Sequence, residues 1–441
     1  MTLDLLRELI RNQCVNDGTV ASGQEVRSVE TIADFLGDRG EVVEPRPGRQ
    51  SVVYRIPGTN PESPALLLLP HLDVVPANPD GWDVDPFGAE IADGFVWGRG
   101  AIDMLNLTAS MVSIFAEYWK GERSALPGDL ILAAVADEEA AGGWGARYLV
   151  EERFELVDAS FVLTEVGYPA LAAPAGLLYP VVVGEKGPFW TKVKSRGTPG
   201  PGSTPFGSDN ALADLLAGVS QLFGVASPVT MTEEWLSLVG ALGLEAELAE
   251  RLIDPEKIDE ALSDLAETDP LLARYFHAIT HMTISPNVVR GGIKANMIPD
   301  RAEAEIDVRA LPGSDRAEVD GVLRKLMGAP GEGLELEPVA DHLSYFSARD
   351  NVLWEAIAAG FREQTGSDRL QPVTTPVTTD ARFFRKRGAV AYGIGLYDDR
   401  IGFSEFLTLF HGNNERVSIK SLDLTTDLLR NVVAHFGRLT A

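Results

Sequence analysis

Residues 66–76, LLLLPHLDVVP, and residues 96–106, VWGRGAIDMLN, decide how this chain is read. The leucine run Leu66–Leu69 stops at Pro70, His71, Leu72 and Asp73, and a second acid, Asp103, follows a Gly-Arg-Gly turn. A segment apolar at every position predicts a strand buried on both faces, as in a mixed or parallel sheet. Such a strand, carrying a histidine and a carboxylate at its carboxyl end, is a natural place to hold a metal ion. The remaining ligands must then come from elsewhere in the chain.

The pattern recurs twice downstream. DLILAAVA (129–136) is a second apolar strand and runs into Asp137, Glu138 and Glu139; ASFVLTEVG (159–167) is a third and presents Glu165. Three strands ending in acids predict an α/β fold, because open α/β sheets bind ligands beyond the carboxyl ends of their strands. The expected architecture is a mixed, mostly parallel sheet flanked by helices. Amphipathic spacing predicts helices over 2–12 and 22–36, the second with Ser22 and Glu25 as a capping box. Further helices are expected near 106–120 and over 419–439. Around Gly184–Gly187 the texture changes to alternating strands and Pro/Gly loops, with a largely helical stretch at 226–282. This reads as a smaller α+β domain, 188–315, inserted between catalytic segments 1–187 and 316–441.

At 441 residues, two domains is the default expectation. A hydrophobic content of 45% with 23% charged residues is that of a globular protein. The formal charge of −27, from 65 acidic against 38 basic residues, excludes nucleic acid and anionic membrane surfaces as main partners. The excess acid itself reads as a solubility device. The single cysteine, Cys14, suits a reducing compartment, no apolar run reaches the ~20 residues of a membrane span, and the amino terminus lacks a signal-peptide core. A cytoplasmic protein is expected.

A lone histidine in a strand is usually structural, and a Glu-Glu pair is usually a solvated face. Here His71, Asp103, Glu138, Glu139 and Glu165 all stand at strand or turn ends, where unpaired carboxylates would repel one another. Divalent cations would remove the repulsion. A His/carboxylate set without cysteine suits Zn2+, with Co2+ or Mn2+ as alternatives. A second histidine is supplied by His411 in FHGNNERVSI.

At this point the chain resembles the dinuclear zinc metallohydrolases that include aminoacylase, acetylornithine deacetylase, succinyl-diaminopimelate desuccinylase, glutamate carboxypeptidase and carnosinase. The matching segments are PHLDVVP, WDVDPF, GRGAIDM, ADEEAAGGWGA, LTEVG, GTPGPGSTP, ANMIPDRAEAEIDVR, TTDARFF and HGNNERV, in family order over nearly the whole chain. The resemblance implies two Zn2+ per subunit bridged by Asp103, one completed by His71 and Glu165, the other by Glu139 and His411. It implies Glu138 as general base, and Asp73 as acceptor of a hydrogen bond from His71. For substrate binding it implies Asn296, Arg382 and the backbone at Gly393 and Gly395; Arg309 reads rather as a structural ion pair. The inserted domain would serve as lid and homodimerisation surface. The implied reaction is hydrolysis of the amide bond of a small N-acyl amino acid or dipeptide by a metal-activated water. A carboxypeptidase-like enzyme on short peptides is the neighbouring alternative.

Two departures stand out. Where the family carries an oxyanion-stabilising histidine, this chain has Pro201, which offers neither a side-chain donor nor an N–H. That motivates a further alternative, a metal-loaded but catalytically weak binding protein. His277, His281 and Ser203 are candidate substitutes, although the two histidines read first as parts of the helical insert. The usual Lys-Gly after GRGAxDM is Leu105-Asn106.

Overall fold

The computed structural model describes residues 1–441. The large sheet has eight strands. Their spatial order is Glu41–Arg46, Arg49–Ile56, Leu130–Ala134, Leu66–Leu68, Phe161–Thr164, Val390–Gly393, Tyr179–Glu185 and Leu370–Thr375. At its centre Leu66–Leu68 lies parallel to both Leu130–Ala134 and Phe161–Thr164. The three strands whose ends carry acids are therefore neighbours, and their carboxyl ends open on one edge. Every residue of Leu66–Leu68 and Leu130–Ala134 is buried, as all-apolar strands require in a sheet covered on both sides. The mixed α/β class with a mostly parallel sheet is the one expected.

Helices close both faces. Ile419–Leu439 is the longest; Ser418 caps it by accepting from the Ser421 N–H, and Leu422, Leu428, Leu429, Val432, Val433 and Phe436 are buried along one stripe. Each such side chain contributes roughly 1.5–3 kcal/mol of transfer free energy. The helix at the amino terminus covers Thr2–Arg11, close to expectation. The next begins only at Val26, so the Ser22 capping box does not form. Ser22 instead donates to the Thr19 carbonyl and accepts from Arg49, because that loop wraps a buried guanidinium.

A second, antiparallel sheet is built from Thr283–Gly291, Arg301–Ala310, Thr191–Arg196 and Glu335–Pro338. It shares a separate apolar core with the helices Ala211–Val219 and Arg316–Met327. This corrects the sequence-drawn boundary at 315: the second layer continues through residue 338, since Val319, Leu323 and Met327 bury into its core. The helical insert is corrected too. Its helices Glu233–Leu242, Ala246–Leu252, Ile258–Ala266 and Pro270–Thr280 bury Trp235, Leu238, Ile258, Tyr275 and Phe276 in the core of the large sheet, not of the small one. Tyr275 packs edge-on against Tyr168 and Phe403 there, so hydrophobic burial ties this insert to the first layer.

Candidate metal centre

Six chain segments meet at the carboxyl edge of the large sheet. His71 follows the strand Leu66–Leu68 and is held by a bridge to Val135; its carbonyl accepts from Thr108 Oγ1 at 2.8 Å. Its ring Nδ1 lies 3.0 Å from the backbone carbonyl of Asp73 and 3.7 Å from the Asp73 carboxylate. The expectation that the Asp73 side chain orients His71 is thus corrected: the main chain accepts that proton, fixing the tautomer that leaves Nε2 facing the centre. The Asp73 carboxylate does another job. It accepts the N–H groups of Glu138 and Glu139, at 3.2 and 3.1 Å, and the Asn16 amide at 2.8 Å. It therefore positions the loop that carries both glutamates.

That loop is tightly bent. Asp137 and Ala141, on either side of the turn Glu138–Ala140, have φ of 70° and 73°, a conformation that costs free energy in a non-glycine residue. Asp137 is tied down by accepting from the Trp144 N–H at 2.9 Å. At Gly145 a Cβ would fall 1.7 Å from the Ala136 carbonyl oxygen, so only glycine lets the loop return. His411 likewise has φ of 55°.

Asp103 is set by a residue the sequence reading passed over. Glu415, fully buried, accepts from the N–H groups of Ile102 (2.7 Å), Asp103 (3.1 Å) and Gly100 (3.0 Å), and from Arg99 Nη1 (2.8 Å). It sits inside the quoted segment HGNNERV, four residues after His411. A glutamate in that segment and an arginine in GRG were its only sequence signal.

The donor atoms converge on two triads that share Asp103. His71 Nε2 lies 3.3 Å from Asp103 Oδ1 and 3.7 Å from Glu165 Oε2; His411 Nε2 lies 3.3 Å from Asp103 Oδ2 and 3.2 Å from Glu139 Oε2. Ligand atoms around a tetrahedral zinc stand about 3.3 Å apart, given bonds of ~2.0–2.1 Å. The two Asp103 oxygens face different histidines, as a bridging carboxylate must. Glu165 Oε1 is buried without a hydrogen-bond partner. The set fits two divalent cations.

Electrostatics point the same way. Burial would raise the Asp103 carboxyl, but His411 and His71 outweigh it and hold it below the usual carboxylate range. Hydrogen bonds to Asp103 and Glu139 push His411 up to about 10. Burial pushes Glu165 up to about 7, and drives Glu138 well above its ordinary value with help from the Glu165 and Asp380 charges. Two imidazoles cannot neutralise so many buried acids, and cations would. His411 is half-exposed and marks the open side of the centre.

The expected substrate-binding residues are less gathered. Arg382 is buried and donates to the carbonyls of Thr379 and Ala141, so here it braces the loop of Glu138 and Glu139. At Gly393 a Cβ would meet the Glu165 carbonyl oxygen at 2.0 Å, and at Gly395 the Tyr397 ring at 2.8 Å. What demands glycine at both is the protein itself: at Gly393 the neighbouring Glu165 segment, at Gly395 the Tyr397 ring. Asn296 is exposed in the small layer, its carbonyl accepting from the Gly202 N–H at 2.9 Å. Pro201 pairs with Met297 in the same short ladder. Arg309 pairs with Asp307 at 3.1 Å, as a structural ion pair should. Asp380, buried with neither carboxylate oxygen hydrogen-bonded and with Arg382 Nη1 4.0 Å from its Oδ1, was not anticipated.

Comparison with known proteins agrees with this geometry. The chain is 28% identical over 416 residues to aminoacylase-1 of Sus scrofa, covering 92% of this chain and 89% of that one. Its fold matches an M20 family metallo-carboxypeptidase, Sso-CP2, of Sulfolobus solfataricus (TM-score 0.74, 20% identity, 99% of each chain). It also matches human carnosine dipeptidase 1 (TM-score 0.70, 18% identity, 99% and 96% covered). Residues 67–435 match the model of peptidase family M20/M25/M40. The chain belongs to that family, and is a metal-dependent hydrolase of the amidohydrolase and peptidase type.

Proposed function

We propose that the protein hydrolyses the amide bond of a small N-acyl amino acid or dipeptide at a two-metal centre. The observation that carries this is the pair of triads sharing Asp103, with Glu138 adjacent in the chain to Glu139 but part of neither. His71 and Glu165 would hold one cation, Glu139 and His411 the other, with Asp103 between them. Zinc is the metal this donor set favours, with cobalt or manganese as substitutes. Cations bound there would supply Lewis acidity, polarising the scissile carbonyl and making the attacking water acidic enough to lose a proton near neutral pH.

The chain's own residues do the rest. Glu138 takes the proton of that water and returns it to the leaving amine, as an acid/base shuttle requires. Asp73 and Arg382 keep Glu138 and Glu139 in register, and Glu415 does the same for Asp103.

We further propose that two copies associate through the small layer. Its edge strand Thr283–Gly291 is open, and Val289, Ile293 and Met297 are exposed beside it. The buried, unpaired Cys14 supports a reducing compartment such as the cytoplasm, and no helix is long and apolar enough to cross a membrane.

Metal analysis combined with a screen of N-acyl amino acids and dipeptides tests the reading. Turnover on one of these classes, abolished by chelation and by Glu138→Ala, is the expected result. A metal-loaded protein that turns over none of them, with or without Pro201→His, would overturn it in favour of a binding role.

A further inference from the structure

The five ligands are not held alike. The His71 and Glu165 side chains are 1% and 6% exposed and follow strands of the large sheet, whereas His411 is 53% exposed on a loop. That loop joins the helix Phe403–Leu407 to the strand Arg416–Ser418. Within it His411 and Asn414 both have positive φ, 55° and 58°, a conformation that non-glycine residues seldom adopt. A half-exposed ligand on such a loop is aimed only if other groups fix the loop.

The fixing groups come from a segment far earlier in the chain. Asp83 grips the Asn414 side chain at both ends of its amide. Asn414 Oδ1 accepts from the Asp83 N–H at 2.9 Å, and its Nδ2 donates to Asp83 Oδ2 at 3.0 Å. A backbone N–H can only donate and an ionised carboxylate can only accept, so a single orientation of the amide satisfies both. Beside this pair, Gly81 lies so close that a Cβ there would fall 2.4 Å from Asn413 Nδ2. Arg99 joins the two segments again: its Nη2 donates to the His411 carbonyl at 3.2 Å, and its guanidinium lies 5.3 Å from the centre of the Trp82 ring.

The gripping segment is itself stiff. Asn78 caps the short turn Pro79–Gly81 by accepting from the Asp80 N–H, and Asp85 accepts from the Phe87 N–H at 2.9 Å. Trp82, between these two turns in the chain, is buried. Asp83 is exposed and belongs to neither ligand triad. Its effect on the centre must therefore pass through Asn414 or through its charge, and the two routes can be separated by substitution.

We propose that Asp83 is a positioning residue for His411: by clamping Asn414 it holds the loop that presents the imidazole to Asp103 and Glu139. It thereby sets the affinity of the cation that Glu139 and His411 would hold, and leaves the His71–Glu165 position alone. The proposal rests on the two-metal reading given above. One half of the centre depends on buried strand ends, the other on a surface clamp between residues 331 apart in the chain. Groups that bond directly to a metal ligand typically shift affinity by roughly 10- to 100-fold. Asp83 stands one residue further out, and Asp83→Ala keeps the bond from its N–H, so a loss of about 3- to 10-fold is expected.

The test is Zn2+ affinity of the full chain, measured by competition with a chelating indicator. Wild type should bind two equivalents, and Asp83→Ala should weaken one of them by about 3- to 10-fold while the other is unchanged. Asn414→Gly should weaken the same equivalent at least as much, although glycine relieves the left-handed backbone there. Asp83→Asn removes the charge but keeps an oxygen that accepts from Asn414 Nδ2, so it should stay within about twofold of wild type. The double variant Asp83→Ala/Asn414→Gly should bind no more weakly than Asn414→Gly, because both changes delete one clamp. In a His411→Ala background, Asp83→Ala should leave the remaining equivalent unaltered. Unchanged affinities in Asp83→Ala, equal weakening of both equivalents, or Asp83→Asn as weak as Asp83→Ala would overturn the proposal while the two-metal reading stood. Wild type that binds fewer than two equivalents would overturn that reading, and this proposal with it.

Discussion

The edge of the large sheet and the exposed loops of the small layer make an instructive contrast. At the sheet edge three of the donor-bearing segments are braced from behind: His71 by the Asp73 carbonyl, Asp103 by Glu415, and the Glu138–Glu139 loop by Asp73 and Arg382. In the small layer Pro201, Ser203, Asn296 and Phe206 stand exposed, with little beyond a two-residue ladder to fix them. The first region brings its two candidate metal triads together from one chain. The second has no comparable set of buried side-chain contacts around those residues.

Substitutions can break that contrast. The largest effect belongs to Glu138→Ala, which should keep both metals by elemental analysis yet lose a factor of roughly 100 to 10,000 in kcat; a variant within tenfold of wild type would remove Glu138 from its role. Next comes Glu415→Ala. Removing it strands the buried Arg99 guanidinium and frees three N–H groups, so denaturant unfolding should show a loss of about 3–5 kcal/mol. Asp73→Ala should weaken metal affinity by roughly 10- to 100-fold in a competition assay with a chelator, with a smaller loss of stability.

On the small-layer side the effects should be milder. Pro201→His should leave metal content unchanged and raise turnover, by less than the roughly 100-fold that a well-placed oxyanion donor supplies. Unchanged kinetics would mean that another group already occupies that role. The smallest effect concerns acid stability at the junction of the two layers. Burial, with Arg382 and Arg147 nearby, lowers His342 from 6.5 to about 4. The unfolded chain therefore takes up a proton that the folded chain refuses, and stability falls as pH drops from about 6.5 toward 4. His342→Asn should flatten that part of a pH-dependent unfolding profile by less than one proton's worth of slope.

Much of the braced region was legible in the sequence because its signal is local. An all-apolar run followed at once by His71, by Glu138 and Glu139, or by Glu165 states both the strand and what its end presents. The partners that aim these ligands were not legible, because they arrive from far away: Glu415 reaches Asp103 across 312 residues and Asn16 reaches Asp73 across 57. Helix 26–36 started later than its pattern suggested because Ser22 was drawn to Arg49, a tertiary contact that overrides a local cap. The limits of the second layer failed for a related reason. Amphipathic helices announce that they bury one face, but not against which sheet, and Trp235 and Val319 chose opposite ones.

The most direct test of the central claim is anomalous scattering, recorded at the zinc edge from crystals of the zinc-loaded protein. The account predicts two peaks at the carboxyl edge of the large sheet, about 3.5 Å apart and bridged by Asp103. One of them should lie against His71 and Glu165, the other against Glu139 and His411. A single peak there, or two peaks that do not share Asp103, would contradict it.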